Sequence, residues 1–277
     1  MTRRRTINAT AVYVLLGCSS VFVLFPIFWM VSVSFRPNME IFTIPPAWLP
    51  VTFTTEAYQT LFSTPQYLRT FANSYFVALA VTVISLFLAT LAGYGFSRFD
   101  FTGNRIIQLF IIGTQMIPPI SLIIPYFILI VNLKMYDTYP GLILTYTAFV
   151  LPFSTLMMIS YFNTIPQDLE ESAMVDGCTR VGSLTRVLLP IVMPGLVATG
   201  VYAFLLAWNE FLFAVTLTQS TNMRLVPVGI ALLVGEHAYQ WNLMMAMSAA
   251  ASLPLLVMFI FLQKYLISGL TVGAVKG

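Results

Sequence analysis

The residues best placed to do chemistry lie between two apolar stretches, in the polar run from Asn163 to Arg186. Glu170, Glu171 and Asp176 offer carboxylates, which bond most strongly to Arg or Lys of a partner. The run reads as a short helix. Thr164 is placed to cap it, Pro166 fits its first turn, Asp168, Glu170 and Glu171 complement its positive end, and Gly177 terminates it. Leu169 and Ala173 are four apart and share a face. A helix lying on lipid is one reading. Such helices usually carry Lys or Arg toward the anionic cytoplasmic leaflet, whereas this one is acidic, so a protein partner fits better.

A second group is Trp208, Asn209 and Glu210, inside an apolar stretch. A carboxylate at a membrane centre costs on the order of 2.5–3.5 kcal/mol on insertion scales, so Glu210 is expected to face the interior of a helix bundle. With Trp208 and Asn209 it supplies an aromatic face and hydrogen-bonding groups, the chemistry that holds a sugar ring and its hydroxyls. A bond from Glu210 to a neighbouring helix or subunit explains it equally. Asn73, Tyr94, Gln115 and Asn242 read as ordinary interhelical hydrogen-bonding residues.

Other chemistry is missing. The sequence contains no H-E-x-x-H, G-x-S-x-G or clustered Cys/His, and no G-x-x-x-x-G-K-[ST], so neither an integral-membrane enzyme nor nucleotide binding by this chain is supported. Cys18 falls in an apolar stretch and Cys178 in a polar loop, and they are not expected to pair. With His237 as the lone histidine, a structural zinc site is not expected. Glu236 and His237 read as part of a solvated turn.

The elements that must position these groups are membrane helices. Apolar residues make up 58% and charged residues 8% of 277 positions, against roughly 25% charged in a soluble domain. Lipid must therefore face much of the chain. An all-α fold of six transmembrane helices follows from about 20 residues per crossing. They are placed at 11–35, 71–96, 106–131, 139–162, 187–214 and 241–267, with a Pro-rich external loop at 36–70, a cytoplasmic loop at 163–186, an external segment at 215–240 and a tail at 268–277. The first is too long, and lacks a cleavage site, for a secretory signal. Ala89, Ala92, Gly93 and Gly95 allow close helix approach in the second. Pro118-Pro119 and again Pro125 are expected to break the third, as a packing kink or as a bend lining a pathway.

With residues 1–10 in the cytoplasm, nine Lys and Arg fall inside and four outside, which supports an N-in, C-in topology. No basic tract suggests nucleic acid as a partner.

These residues resemble a known family. Glu171-Ser-Ala173, three residues, Gly177, nine residues and Val187-Leu-Leu-Pro190 are similar to the E-A-A, three, G, nine, I-x-L-P loop of bacterial binding-protein-dependent importers. Ser172 and Val187 depart from it conservatively. Gly93 to Arg98, Met116 to Pro119, Trp208 to Phe213 and Gly269 to Gly277 resemble, in order, the smaller permease of maltose- and glycerol-phosphate-type carbohydrate importers. The resemblance implies a type I ABC importer permease fold in the bacterial cytoplasmic membrane. It also implies a second permease, two ATP-binding subunits that bind ATP and Mg, an external solute-binding protein, and a sugar or sugar-like solute. No cofactor is expected on this chain.

It further implies that Glu170, Glu171, Ser172, Ala173, Asp176 and Gly177 form a coupling helix docked on the ATPase, with small Ser172 and Ala173 permitting close approach and Glu171 meeting a basic group. Gly273, Ala274, Val275, Lys276 and Gly277 form a possible second ATPase contact. A secondary carrier, driven by ions bound near the midplane, is the competing class. It leaves the acidic loop without a purpose. Alternating access, with the loop helix pushed by ATP-driven closure, is the expected mechanism. Maltooligosaccharide, trehalose, another glycoside, a polyol and glycerol phosphate all remain open as solute.

Overall fold

The computed structural model describes the backbone of residues 2–45, 47–234 and 240–272, with side chains over 9–45, 47–234 and 240–264. Glu236, His237 and the tail residues Gly273, Ala274, Val275, Lys276 and Gly277 lie outside the described residues. Among the described residues all regular structure is helical. Among the described residues four helices are long and apolar enough to cross a membrane, or up to six crossings if each of two sharply bent pairs counts as one.

The chain forms two compact units. The first comprises residues up to Leu68 together with Gly229–Leu253. Its long helix α1 (Thr2–Ser34) buries only Ser32, Val33 and Ser34 among its described side chains. After it, Arg36 is 1% exposed, with its guanidinium 5.0 Å over the Trp29 ring and Nη2 donating to Ser32 Oγ at 2.8 Å. Phe35 stacks on Phe53 and packs against Tyr58 of α2 (Glu56–Ser63). The Glu40 carboxylate accepts from the Val51 and Thr52 amides at 2.7 and 3.0 Å, pinning the loop between them.

The second unit, Arg69–Val228 with Pro254–Gly277, carries both candidate sites. Its scaffold is α3 (Pro65–Arg98), the broken pair α4 (Asn104–Thr114) and α5 (Ile123–Asn132), α6 (Tyr139–Asn163), the short α7 (Gln167–Val175), α8 (Arg180–Ile191), α9 (Met193–Asn209) and α10 (Leu212–Leu217). Helices α11 (Val226–Leu232) and α12 (Trp241–Val272) follow, each divided between the two units. Helix α3 approaches α6 so closely at Gly93 that a Cβ there would stand 2.6 Å from Met158 Cβ. Ala89, Met158, Phe162, Leu184 and Leu188 pack around this crossing, so the small residues are where helices must nearly touch. Asn73 bonds across the unit, donating to Asn222 O and Arg224 O and accepting from Tyr139 Oη at 2.6 Å.

Proline shapes the two bent pairs, not always where expected. Between α4 and α5 the chain turns by 94°, at a break where Pro118 is extended (φ −59°, ψ 128°). Pro125 makes no second break: it falls in the first turn of α5, where its missing N–H has no intrahelical partner to lose. The segment expected as one span over 187–214 is bent by 79° between α8 and α9 and interrupted again at Glu210, which is extended. Pro190 and Pro194 remove donors there. A π-turn over Leu184–Leu188 absorbs part of the strain, with Leu189 N donating to Leu184 O.

Candidate functional site

Helix α7 is a handle with two different faces. It begins at Gln167 behind an extended Pro166, not behind Thr164, whose hydroxyl instead donates to Tyr161 O at the end of α6. Proline disfavours helical backbone in the residue before it, so a helix cannot start at Ile165. Its end is a Schellman turn: Gly177 sits at φ +92°, its N–H reaches Met174 O, and the Cys178 N–H reaches Ala173 O at 3.0 Å. The inward face is Glu170 with Ala173. Leu169, expected to share a face with Ala173, lies on the flank and is 44% exposed.

Glu170 is the hinge pin of that inward face. Its Oε1 accepts from the Tyr94 hydroxyl, and its Oε2 lies 3.1 Å from Arg98 Nε, with both members of the ion pair nearly enclosed. Arg98 Nη2 donates onward to Ile165 O at 2.9 Å. The Tyr94 ring stands edge-on to Phe99 and Phe162. A pair taken out of water survives best when its remaining bonds are made: here the Tyr94 hydroxyl bonds the carboxylate and the Ile165 carbonyl takes Arg98 Nη2, while Arg98 Nε faces Glu170 Oε2 as an ion pair without a hydrogen bond. Tyr94 and Arg98 are four apart on α3, hence on one face, so helix α7 is bolted to the end of α3.

On the opposite side Glu171, Ser172, Val175, Asp176 and Gly177 are exposed. Val175 at 87% and Val181 at 70% add apolar surface beside the carboxylates. Of the residues expected to form the coupling helix, the structure thus turns Glu170 and Ala173 inward and the other four outward.

The second group divides as well. Trp208 is buried, 4.8 Å from Tyr75 and stacked on Phe204. Asn209 is exposed and donates to Leu205 O of its own helix. Glu210 alone reaches a cavity of about 280 Å³, lined also by Gln115, Pro119, Tyr146, Phe149 and Tyr202. The helix break at Glu210 frees backbone donors, and the side chain takes them back: Oε1 accepts from Phe213 N at 3.0 Å and Oε2 from Phe213 N and Ala214 N at 3.1 and 3.0 Å. The break between α4 and α5 contributes Gln115 and Pro119 to the same cavity, so this bend lines an opening. Sequence reasoning passed over Arg98 and Tyr94 as partners of Glu170, and Tyr146 as a lining group. The four-residue spacing of Tyr94 and Arg98 was the available signal for the first two.

A largely apolar chain, helical in all its described regular structure, with an acidic surface helix tied to a long apolar helix, has the architecture of a multi-pass membrane subunit. The chain belongs to the binding-protein-dependent transport system inner membrane component family, which it matches over residues 82–272. It is a permease subunit of an ATP-binding-cassette importer, a translocation component. It is 39% identical over 264 residues to the trehalose/maltose transport system permease protein of Thermococcus litoralis, covering 93% of each chain. It is 36% identical over 255 residues to the sulfoquinovosyl glycerol transport system permease protein of Agrobacterium fabrum, covering 92% of this chain and 89% of that one. Its fold matches a chain in the crystal structure of a bacterial ABC transporter that imports the acidic polysaccharide alginate, with TM-score 0.81 and 22% identity over 95% of this chain and 98% of that one.

Proposed function

We propose that this subunit passes a sugar or sugar-like solute, delivered by an external binding protein, across the cytoplasmic membrane by alternating access. It pairs with a second permease and with two ATPase subunits, which bind ATP and Mg, while this chain binds no cofactor. Its helices make six crossings with both termini in the cytoplasm, each bent pair counting as one. The coupling face is the exposed side of α7, where Glu171 meets a basic group of the ATPase and Ser172 lets the surfaces close. The sugar class is supported by the relatives named for trehalose/maltose and sulfoquinovosyl glycerol.

One observation carries the reading: α7 offers charge outward while Glu170 ties it to Arg98 and Tyr94 of a long apolar helix. A push on α7 is thereby a push on α3. The test is reconstitution of the complete complex with its binding protein in proteoliposomes. ATP-dependent uptake of radiolabelled trehalose or maltose is expected, and, in vesicles stripped of the ATPase and in a Cys18→Ser, Cys178→Ser background, an impermeant maleimide is expected to label Glu171→Cys from the ATPase side only. Uptake driven by a proton gradient without ATP, or labelling from the opposite side, overturns the proposal.

A further inference from the structure

The cavity beside Glu210 holds more chemistry than the Trp208-Asn209-Glu210 run implies. Tyr146 on α6 is 1% exposed and lines the same cavity as Glu210, and its hydroxyl is buried without a hydrogen bond of normal geometry. Buried hydroxyls are seldom left so, and one that is calls for a partner. Across from it the Glu210 carboxylate is fixed by the amides of Phe213 and Ala214, which use part of its acceptor capacity and leave the rest for donors in the cavity. Gln115 adds an amide at the α4–α5 break, and Phe149, Tyr202 and Phe213 supply ring faces.

The charge of the lining selects among solutes. Among the described residues no Lys, Arg or His lines this cavity, so an anionic solute meets only a like charge. A cation meets one carboxylate already bonded to backbone amides. A neutral polyhydroxy ring meets acceptors and donors for its hydroxyls and aromatic carbon for its C–H face. The size, about 280 Å³, falls just below the roughly 300 Å³ at which clefts for whole small ligands begin, which suits one ring and not a chain. We propose that this cavity is a subsite for a single neutral sugar ring, with a hydroxyl of the ring bridging Tyr146 and Glu210.

This rests on the sugar-importer reading, and the experiment separates the two. The complete complex, with ATP and saturating binding protein in proteoliposomes, is offered labelled trehalose, maltose, their deoxy analogues and a uronic-acid disaccharide. The unmodified complex is expected to take up a neutral sugar and to discriminate against one or more deoxy analogues. Tyr146→Phe, which removes only the hydroxyl, is expected to cut uptake about three- to tenfold and to erase that discrimination, which a purely structural role would leave in place. Gln115→Leu, at an exposed position, is expected to lower uptake in the same direction and carries the test if Tyr146→Phe fails to assemble. Uptake and discrimination unchanged in the assembled variants overturn the subsite alone. Uptake of the acidic sugar in preference to the neutral ones overturns neutral selection while sparing the importer reading. Uptake of none overturns the neutral-sugar subsite, and only the further absence of ATP hydrolysis stimulated by the binding protein overturns the importer reading.

Discussion

Two acidic residues, Glu170 and Glu210, stand on the same unit and are treated in opposite ways. Glu170 meets a full countercharge in Arg98 and a phenol in Tyr94, and little of it is left for solvent. Glu210 meets backbone amides, no basic side chain among the described bonds, and opens on a cavity. The first arrangement makes a joint, because an ion pair enclosed on both sides resists separation. The second makes a receptor, because amides orient a carboxylate while leaving acceptor sites free. Which role an acidic residue plays in this membrane protein is decided by what neutralises it, not by its burial alone.

The sharpest way to break this comparison is to take away the countercharge. Arg98→Ala leaves Glu170 enclosed and unpaired, for which a loss of about 3–5 kcal/mol is expected, read as a large fall in melting temperature of the purified complex and loss of ATP-driven uptake. The double variant Arg98→Met with Glu170→Leu should recover much of the stability, since well-packed apolar replacements of enclosed pairs are often tolerated. A stable Arg98→Ala complex means that Glu170 is not a joint.

Next in size is the neighbour that points the other way. Glu171→Ala removes an exposed carboxylate, so stability should change by no more than about 0.5 kcal/mol, while sugar uptake per ATP hydrolysed falls about tenfold. Equal coupling in the variant would move the docking face elsewhere on α7.

The α7 helix and its C-terminal turn were legible in the sequence because their signals are local, although its start and the face carrying Leu169 were not. Gly177 at the end of an acidic run calls for a left-handed turn, and the structure has one. The spacing from Glu171 to Pro190 is a pattern within one stretch of chain. What makes Glu170 differ from Glu171 was not legible, because Tyr94 lies 76 residues before it and only packing of α3 on α6 brings them together. Glu210 gave half of its nature away: a carboxylate in an apolar stretch must be satisfied. That its own downstream amides satisfy it depends on the helix breaking at that residue, and no Pro or Gly marks the break. The double bend of the α8–α9 segment was hidden for the opposite reason, since Pro190 and Pro194 are visible but membrane helices often carry proline without bending sharply.

A smaller effect sharpens the picture of α7 as a rigid handle. Gly177→Ala forces a side chain into φ +92°, which costs about 1–2 kcal/mol. No neighbour lies within 4 Å of the added carbon, so the penalty is conformational and not steric. Hydrogen exchange at the Cys178 amide, bonded to Ala173 O, should speed up about tenfold, while the Arg98 pair and the α3 amides stay protected. Acceleration spreading to α3 would mean that handle and bundle unfold together.

The smallest effect concerns a third carboxylate, which isolates amide binding from enclosure. Glu40, in the segment after α1, is held by two backbone amides as Glu210 is, but in water. The Val51 amide first, and then that of Thr52, hold its pKa below the ordinary 4.5, against a lesser opposing push from desolvation. A group whose folded pKa is depressed lends stability that is fully present above the unfolded value and is lost as pH falls through the folded one. The loop from Glu40 to Thr52 should therefore hold at neutral pH and loosen only as pH drops below 4.5. The check compares amide exchange at Val51 and Thr52 in the native chain and in Glu40→Gln at each pH, which cancels the intrinsic pH dependence of exchange. The native chain should be better protected at pH 7 and the difference should vanish in acid. A difference that persists in acid would show that the amides answer to the loop's shape and not to the charge, and would weaken the same argument for Glu210.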